Sequence, residues 1–231
     1  MEKNAAGQER GRTGKRWAMK LLAVNGSPRK GMNTGSLLEK IVKGAAARGA
    51  DAELVHLADL TFRGCVSCFR CKDPKGGSYG RCALKDDLAP VLRGAHEADV
   101  LALGSPFYFS METALMRACM ERLWFQYHLY TTKKPPLSPR KKATALVYTM
   151  NVREEDMTAY GKDAIVARSR GLMERFFAPC EVFLCCDTRQ VKDYSKYEFD
   201  FFDVPGKLKR HEEVFPRELE RAFALGGRLV S

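Results

Sequence analysis

Four cysteines within eighteen residues, Cys65, Cys68, Cys71 and Cys82, stand in the pattern C-x2-C-x2-C-x10-C. Four thiolates are the usual complement of a [4Fe-4S] cluster, and a compact triple run suits wrapping one. Two other readings stay open. A tetrahedral zinc site would favour two separated C-x2-C knuckles, and the thiols can equally be free. The remaining cysteines, Cys119, Cys180, Cys185 and Cys186, fall in helix or strand patterns where a small buried thiol packs well.

A second constellation is Gly26-Ser27-Pro28-Arg29-Lys30-Gly31-Met32-Asn33-Thr34. A Walker A loop needs Lys and Ser/Thr directly after its second glycine, and Met32 and Asn33 stand there instead. G-x-G-x-x-G is absent as well, so ATP and classical dinucleotide sites are disfavoured. What remains is a turn with hydroxyls at Ser27 and Thr34, an amide at Asn33 and a guanidinium at Arg29, opening onto a helix N-terminus. That set suits one phosphate monoester, hence a mononucleotide cofactor. A third constellation, Gly104 to Phe109 (GSPFYF), offers backbone donors and the apolar faces of Phe107, Tyr108 and Phe109 to a planar ring. Alone, such a cluster is more often core packing.

Other chemistry finds no support. His56, His96, His128 and His211 are dispersed, and G-x-S-x-G does not occur. Asp86 and Asp87 are paired at a helix start, where capping explains them better than acid/base work.

The elements that position these residues follow from periodicity. Apolar runs at Lys20–Asn25, Glu53–Leu57, Val100–Gly104, Ala143–Met150 and Cys180–Cys186 predict five strands. Helices are expected from Asn33 or Thr34, either one capping, to Gly49; from Asp86 through Ala95; from about Met111 to Trp124; from Asp163 to Phe177; and from about Pro216 to Leu225. Strands that are continuously apolar and alternate with helices predict a doubly wound α/β domain, a five-stranded parallel sheet with helices on both faces. Its ligand should lie at the carboxyl ends of the strands, so the loops after strands one, three and four form the site. Asp187 to Glu213 is too long for a plain loop and is expected to pack on the surface or on a second copy.

At 231 residues a single domain is expected, residues 19–231, behind a basic and disordered head, residues 1–18. No apolar run reaches the roughly 18 to 20 residues that span a bilayer. The head holds no apolar h-region, so a cytoplasmic protein without a secretory leader is expected. In that compartment clustered cysteines point to metal or redox chemistry before disulfides. The formal net charge is +11, but residues 1–20 hold six basic and two acidic side chains and Lys133–Lys142 five basic and none acidic. The rest is nearly balanced, so nucleic acid is not expected as a partner.

GSPRKGMNT resembles the G-S-P-R-x-x-G-N-T phosphate loop of NAD(P)H-dependent FMN reductases, and the chain resembles most the branch containing the iron-sulfur flavoproteins. GSPFYF is similar to that family's S-P-x-Y loop, Tyr148-Thr149-Met150-Asn151 stands at its third flavin-side loop, and Cys65 to Asp87 is similar to its cysteine segment ending in C-x-x-K-D-D. The resemblance implies a flavodoxin-like fold, with Ser27, Arg29, Asn33 and Thr34 on the FMN phosphate and Pro106, Phe107, Tyr108 and Phe109 along the ring. Thr149 and Asn151 belong to the third loop. It implies NAD(P)H as co-substrate, a quinone, flavin, metal or protein electron carrier as acceptor, and a homodimer or homotetramer with flavin sites completed across the subunit interface. Tyr194 to Phe202 and the helix near Trp124 are the candidate contacts. The expected function is an FMN-dependent NAD(P)H oxidoreductase. The alternatives are an iron-sulfur flavoprotein with a [4Fe-4S] cluster on Cys65, Cys68, Cys71 and Cys82, and a nucleic-acid-binding protein resting on the basic head alone.

Overall fold

The computed structural model describes residues 18–231 apart from 139, 178 and 202. The basic head thus lies outside the described residues, save Ala18. Five parallel strands, β1 (Lys20–Asn25), β2 (Asp51–His56), β3 (Val100–Tyr108), β5 (Ala143–Thr149) and β6 (Cys180–Cys185), run in the order β2-β1-β3-β5-β6. This is the flavodoxin-like order, with the winding reversed between β1 and β3. The sheet and its class agree with expectation. A sixth strand, β4 (Met111–Glu112), pairs antiparallel with the far end of β3.

Strand residues alternate between two cores. Leu21, Ala23, Val100, Ala102, Ala145 and Val147 pack beneath α1 (Asn33–Ala46) and α6 (Phe215–Leu229). Leu22, Val24, Leu101, Leu103, Leu146 and Tyr148 face the opposite layer of α2 (Leu88–Glu97), α3 (Ala114–Tyr127) and α4 (Lys162–Phe176). Burial on both faces is why these strands read as unbroken apolar runs. The edge strands β2 and β6 are less completely covered, β2 having no fully buried residue.

Several boundaries differ from expectation. Helix α1 begins at Asn33 with Met32 at its N-cap and no side chain capping it. Asp86 and Asp87 do not cap α2. Asp87 accepts from the Thr61 amide at 2.8 Å, and Asp86 receives a guanidinium. Ser105 to Tyr108 prolongs β3, and the β4 hairpin delays α3 to Ala114. The Asp187–Glu213 excursion holds a helix, α5 (Val204–Glu213), capped by the Asp203 carboxylate on the Gly206 amide at 3.0 Å. The Lys133–Lys142 stretch is not merely solvated charge. Lys142 is buried and donates to the carbonyls of Ala95, His96 and Ala98 at 2.6–3.1 Å, closing the C-terminus of α2. Arg140 pairs with Asp99 at 2.7 Å.

Helices α1 and α6 cross at two glycines. A Cβ on Gly44 would overlap the carbonyl of Phe223, and one on Gly226 the carbonyl of Ile41. Backbone cannot give way as a side-chain tip can, so Gly226→Ala should lower unfolding free energy by at least about 1–3 kcal/mol. Urea unfolding checks this.

Burial, aided by neighbouring cations, lowers the pKa of His96, His128 and His211 from 6.5. The unfolded chain therefore binds these protons first as pH falls. Their stabilising contribution is complete above about pH 6.5 and is lost on acidification. The urea midpoint should drop between about pH 7 and 5.5, less steeply in His96→Gln.

Candidate functional site

At the carboxyl ends of β1, β3 and β5 three loops are tied together. The Gly26 amide donates to the Gly104 carbonyl at 2.8 Å, and the Thr113 hydroxyl donates to the Gly26 carbonyl at 2.7 Å while its oxygen caps α3 on the Met116 amide. Thr34 and Thr149 share a buried hydroxyl–hydroxyl bond of 2.7 Å. This joins the start of α1 to the third loop. Gly35 packs directly on the Lys30 carbonyl, a position without room for a Cβ. The turn is thereby held against the helix, whose first amides lack a side-chain cap and form an anion-receptive end.

The predicted phosphate-side residues are all at this turn, with partners of their own. Ser27 Oγ accepts from the Arg29 amide at 3.2 Å. The Arg29 guanidinium donates to the Gln190 carbonyl, and Asn33 Nδ2 to the Arg189 carbonyl at 2.8 Å. Residues 189 and 190 thus lie over the turn as a strap. Two further residues, Asn25 and His56, take part here, and the sequence pattern assigns neither a role. Asn25 accepts from the Ser27 amide at 2.9 Å, and its Nδ2 lies 3.0 Å from His56 Nδ1. His56, on neighbouring β2, orients the asparagine that shapes the turn. Only the β1–β2 register, which pairs Asn25 with His56, brings them together.

Along the second loop, strand alternation separates the aromatics. Phe107 is buried against Tyr148 with ring centroids 4.6 Å apart. Tyr108 is exposed, and Phe109 is fully so at φ +50°, followed by Ser110 at φ +64°. Pro106 is half-buried. Two successive non-glycine residues in the left-handed region hold Phe109 outward at a conformational cost. In the third loop Asn151 Oδ1 is buried without a partner, on the wall of a cleft of about 480 Å³ shared with Arg153, Tyr160, Phe201 and Asp203. Beneath the loops, Glu112 accepts from Tyr148 Oη at 2.8 Å and Ser169 Oγ at 2.6 Å.

The cysteine segment docks on the second half of α3, with contacts at Phe125 and Gln126 about 18–20 Å along the helix from Thr113. Phe69 packs edge-on against Phe125 at 5.6 Å, the Cys82 amide donates to Gln126 Oε1 at 3.0 Å, and Lys72 reaches the Phe125 carbonyl. Ser67 and Phe69 both adopt positive φ, 50° and 56°, so the chain reverses repeatedly between Cys65 and Cys71. As a result Cys65, Cys68, Cys71 and Cys82 line one small pocket, with Arg122 in its wall. Among the described residues no three potential ligands converge as a single ion requires. Arg122 Nε donates to Cys82 Sγ at 3.3 Å, and its Nη1 to Asp86 at 2.6 Å and to the Arg63 carbonyl at 3.1 Å. Arg122 Nη2 and Asp86 Oδ1 are buried and unpartnered. Burial pushes the Cys71 thiol up, against the pull of Lys72. The other four cysteines are buried and unpaired, as expected, and burial pushes Cys119 up to about 12.

The sequence model of the family described as NADPH-dependent FMN reductase matches residues 19–160. An iron-sulfur flavoprotein of Archaeoglobus fulgidus is 39% identical over 104 residues, 45% of this chain and 48% of that protein. One from Methanocaldococcus jannaschii is 35% identical over 104 residues, 45% of this chain and 51% of its own. The matched stretch spans about half the length of each relative. Among solved structures, an NAD(P)H:quinone oxidoreductase from Methanothermobacter marburgensis superposes with a TM-score of 0.66 at 17% identity, over 92% of this chain and 99% of that one. At that identity the likeness concerns the fold. Among the described residues, no helix is long and apolar enough to cross a membrane.

Proposed function

The chain belongs to the NADPH-dependent FMN reductase family, and from that membership we propose that it is an FMN-dependent oxidoreductase using NAD(P)H. Bound FMN would supply hydride transfer from the nicotinamide and electron release to a quinone, a second flavin, a metal or a protein carrier. The observation that carries this reading is the uncapped start of α1, set behind the Gly26–Thr34 turn where the winding reverses. Ser27, Arg29, Asn33 and Thr34 would hold the phosphate, Arg29 and Asn33 exchanging the carbonyls of Gln190 and Arg189 for charged phosphate oxygens, which are stronger acceptors. Pro106, Tyr108 and Phe109 would lie along the ring, with Phe107 bracing the loop from the core. Thr149 and Asn151 would close the third side, the unpartnered Asn151 Oδ1 being free to accept from a cofactor N–H. The chemistry belongs to the cofactor, and no catalytic acid or base is assigned to the chain.

Exposed Tyr108, Phe109 and Met111 beside this site favour a homodimer or homotetramer in which a second copy covers them. The cytoplasm suits a chain with eight unpaired thiols. The test is anaerobic NAD(P)H oxidation by purified protein with a quinone acceptor. Turnover that requires FMN supports the reading, and none at saturating FMN with any acceptor class would refute it.

The pocket shared by Cys65, Cys68, Cys71 and Cys82 favours a second, compatible reading, an iron-sulfur flavoprotein with a [4Fe-4S] cluster on those thiols. Such a cluster supplies one-electron transfer. Iron and acid-labile sulfide in anaerobically purified protein would support it, and metal-free protein after reconstitution would not.

A further inference from the structure

We propose that Arg122 seats Cys82 as the fourth thiolate of the cysteine pocket and sets the reduction potential of the cluster held there. The inference rests on the cluster reading.

In the sequence Cys82 stands apart from the triple run, with ten residues between it and Cys71. The structure places it by two bonds from α3. Gln126 Oε1 accepts from its amide at 3.0 Å, and Arg122 Nε donates to its sulfur at 3.3 Å. Both side chains line the pocket with the thiols. The Arg122 side chain is fully buried, so its charge is little screened and its geometry hardly adjustable. Asp86 and the Arg63 carbonyl take Nη1 and fix the plane of the guanidinium. Asp86 belongs to the same C-x-x-K-D-D run as Cys82, so one short segment supplies both the sulfur and the anchor for the arginine that meets it.

A buried arginine with one bonded carboxylate and an unpartnered Nη2 is a costly arrangement for a pocket of neutral thiols. It becomes more favourable when Cys82 is a metal-bound thiolate, because the guanidinium then has a second anionic acceptor beside Asp86. Donors to sulfur stabilise the more negative, reduced form and so raise the potential. Arg122 is therefore a positioning residue acting through Cys82.

The test uses the full chain, reconstituted anaerobically with ferrous iron and sulfide. Wild type, Arg122→Gln and Arg122→Lys are compared by iron and sulfide content, by FMN content and by redox titration of the cluster absorbance. Wild type should carry about four irons. Arg122→Gln should titrate at a more negative potential with unchanged FMN content, and Arg122→Lys, keeping the charge but not the planar fork, should fall between. If the Gln variant fails to fold, the negative shift in Arg122→Lys carries the test. Equal potentials at equal iron content would overturn the role of Arg122 and leave the cluster standing. Wild-type protein that takes up no iron would overturn the cluster reading, and this inference with it.

Discussion

Gly35→Ala should yield a folded protein that binds FMN at least about a hundredfold more weakly, a loss of roughly 2.7 kcal/mol. The added methyl group meets the carbonyl oxygen of Lys30, a backbone atom in the middle of the Gly26–Thr34 turn. Relief requires that the turn move away from the start of α1. The amides at that helix end and the donors of Ser27 and Arg29 then no longer converge on one place. The rest of α1 is anchored elsewhere, through Leu37, Leu38 and Ile41 in the core beneath α6, so the fold should survive with a modest loss of stability. Fluorescence titration of FMN measures the affinity, and a thermal melt by circular dichroism establishes that the variant is folded. Unchanged affinity would mean that the turn does not hold the phosphate.

The second large effect is expected at the cysteine pocket. Cys68 is exposed and contributes little to packing, so Cys68→Ala should leave stability nearly unchanged. On the cluster reading, iron should nonetheless fall well below the wild-type level, since a cluster deprived of one of its four thiolates is readily lost. Cys119→Ala is the informative contrast. That thiol is buried in α3 against the core and held protonated by burial, so its removal should cost about 1 kcal/mol of stability and leave iron content untouched. Iron analysis together with urea unfolding of both variants separates ligand from packing. Equal iron in wild type and Cys68→Ala would remove Cys68 from the ligand set.

Much of this arrangement was legible in the sequence because its signals are local. The central strands β1, β3 and β5 announce themselves as apolar runs, being buried on both faces, and the turn after β1 carries its own Gly, Pro and hydroxyl residues. What escaped was set by partners distant in the chain. The carbonyls of Arg189 and Gln190 reach Asn33 and Arg29 from more than 150 residues away, and nothing in the local pattern of the excursion marks it as a strap over the turn. Asp86 and Asp87 stand where capping residues belong, yet the buried guanidinium of Arg122 claims one and the Thr61 amide the other. Arg122 itself sits among apolar helix residues with no motif around it. The aromatic trio Phe107, Tyr108 and Phe109 reads as one apolar surface, and only the prolonged β3 strand and its β4 hairpin show that the first side chain turns inward and the other two outward.

The proposed function requires FMN at the carboxyl ends of β1 and β3. An absorption spectrum of the purified protein, before and after addition of FMN and removal of the excess, tests it most directly. A yellow protein that retains about one FMN per chain and loses it in Arg29→Ala is the predicted result. A colourless protein that takes up no FMN would contradict it.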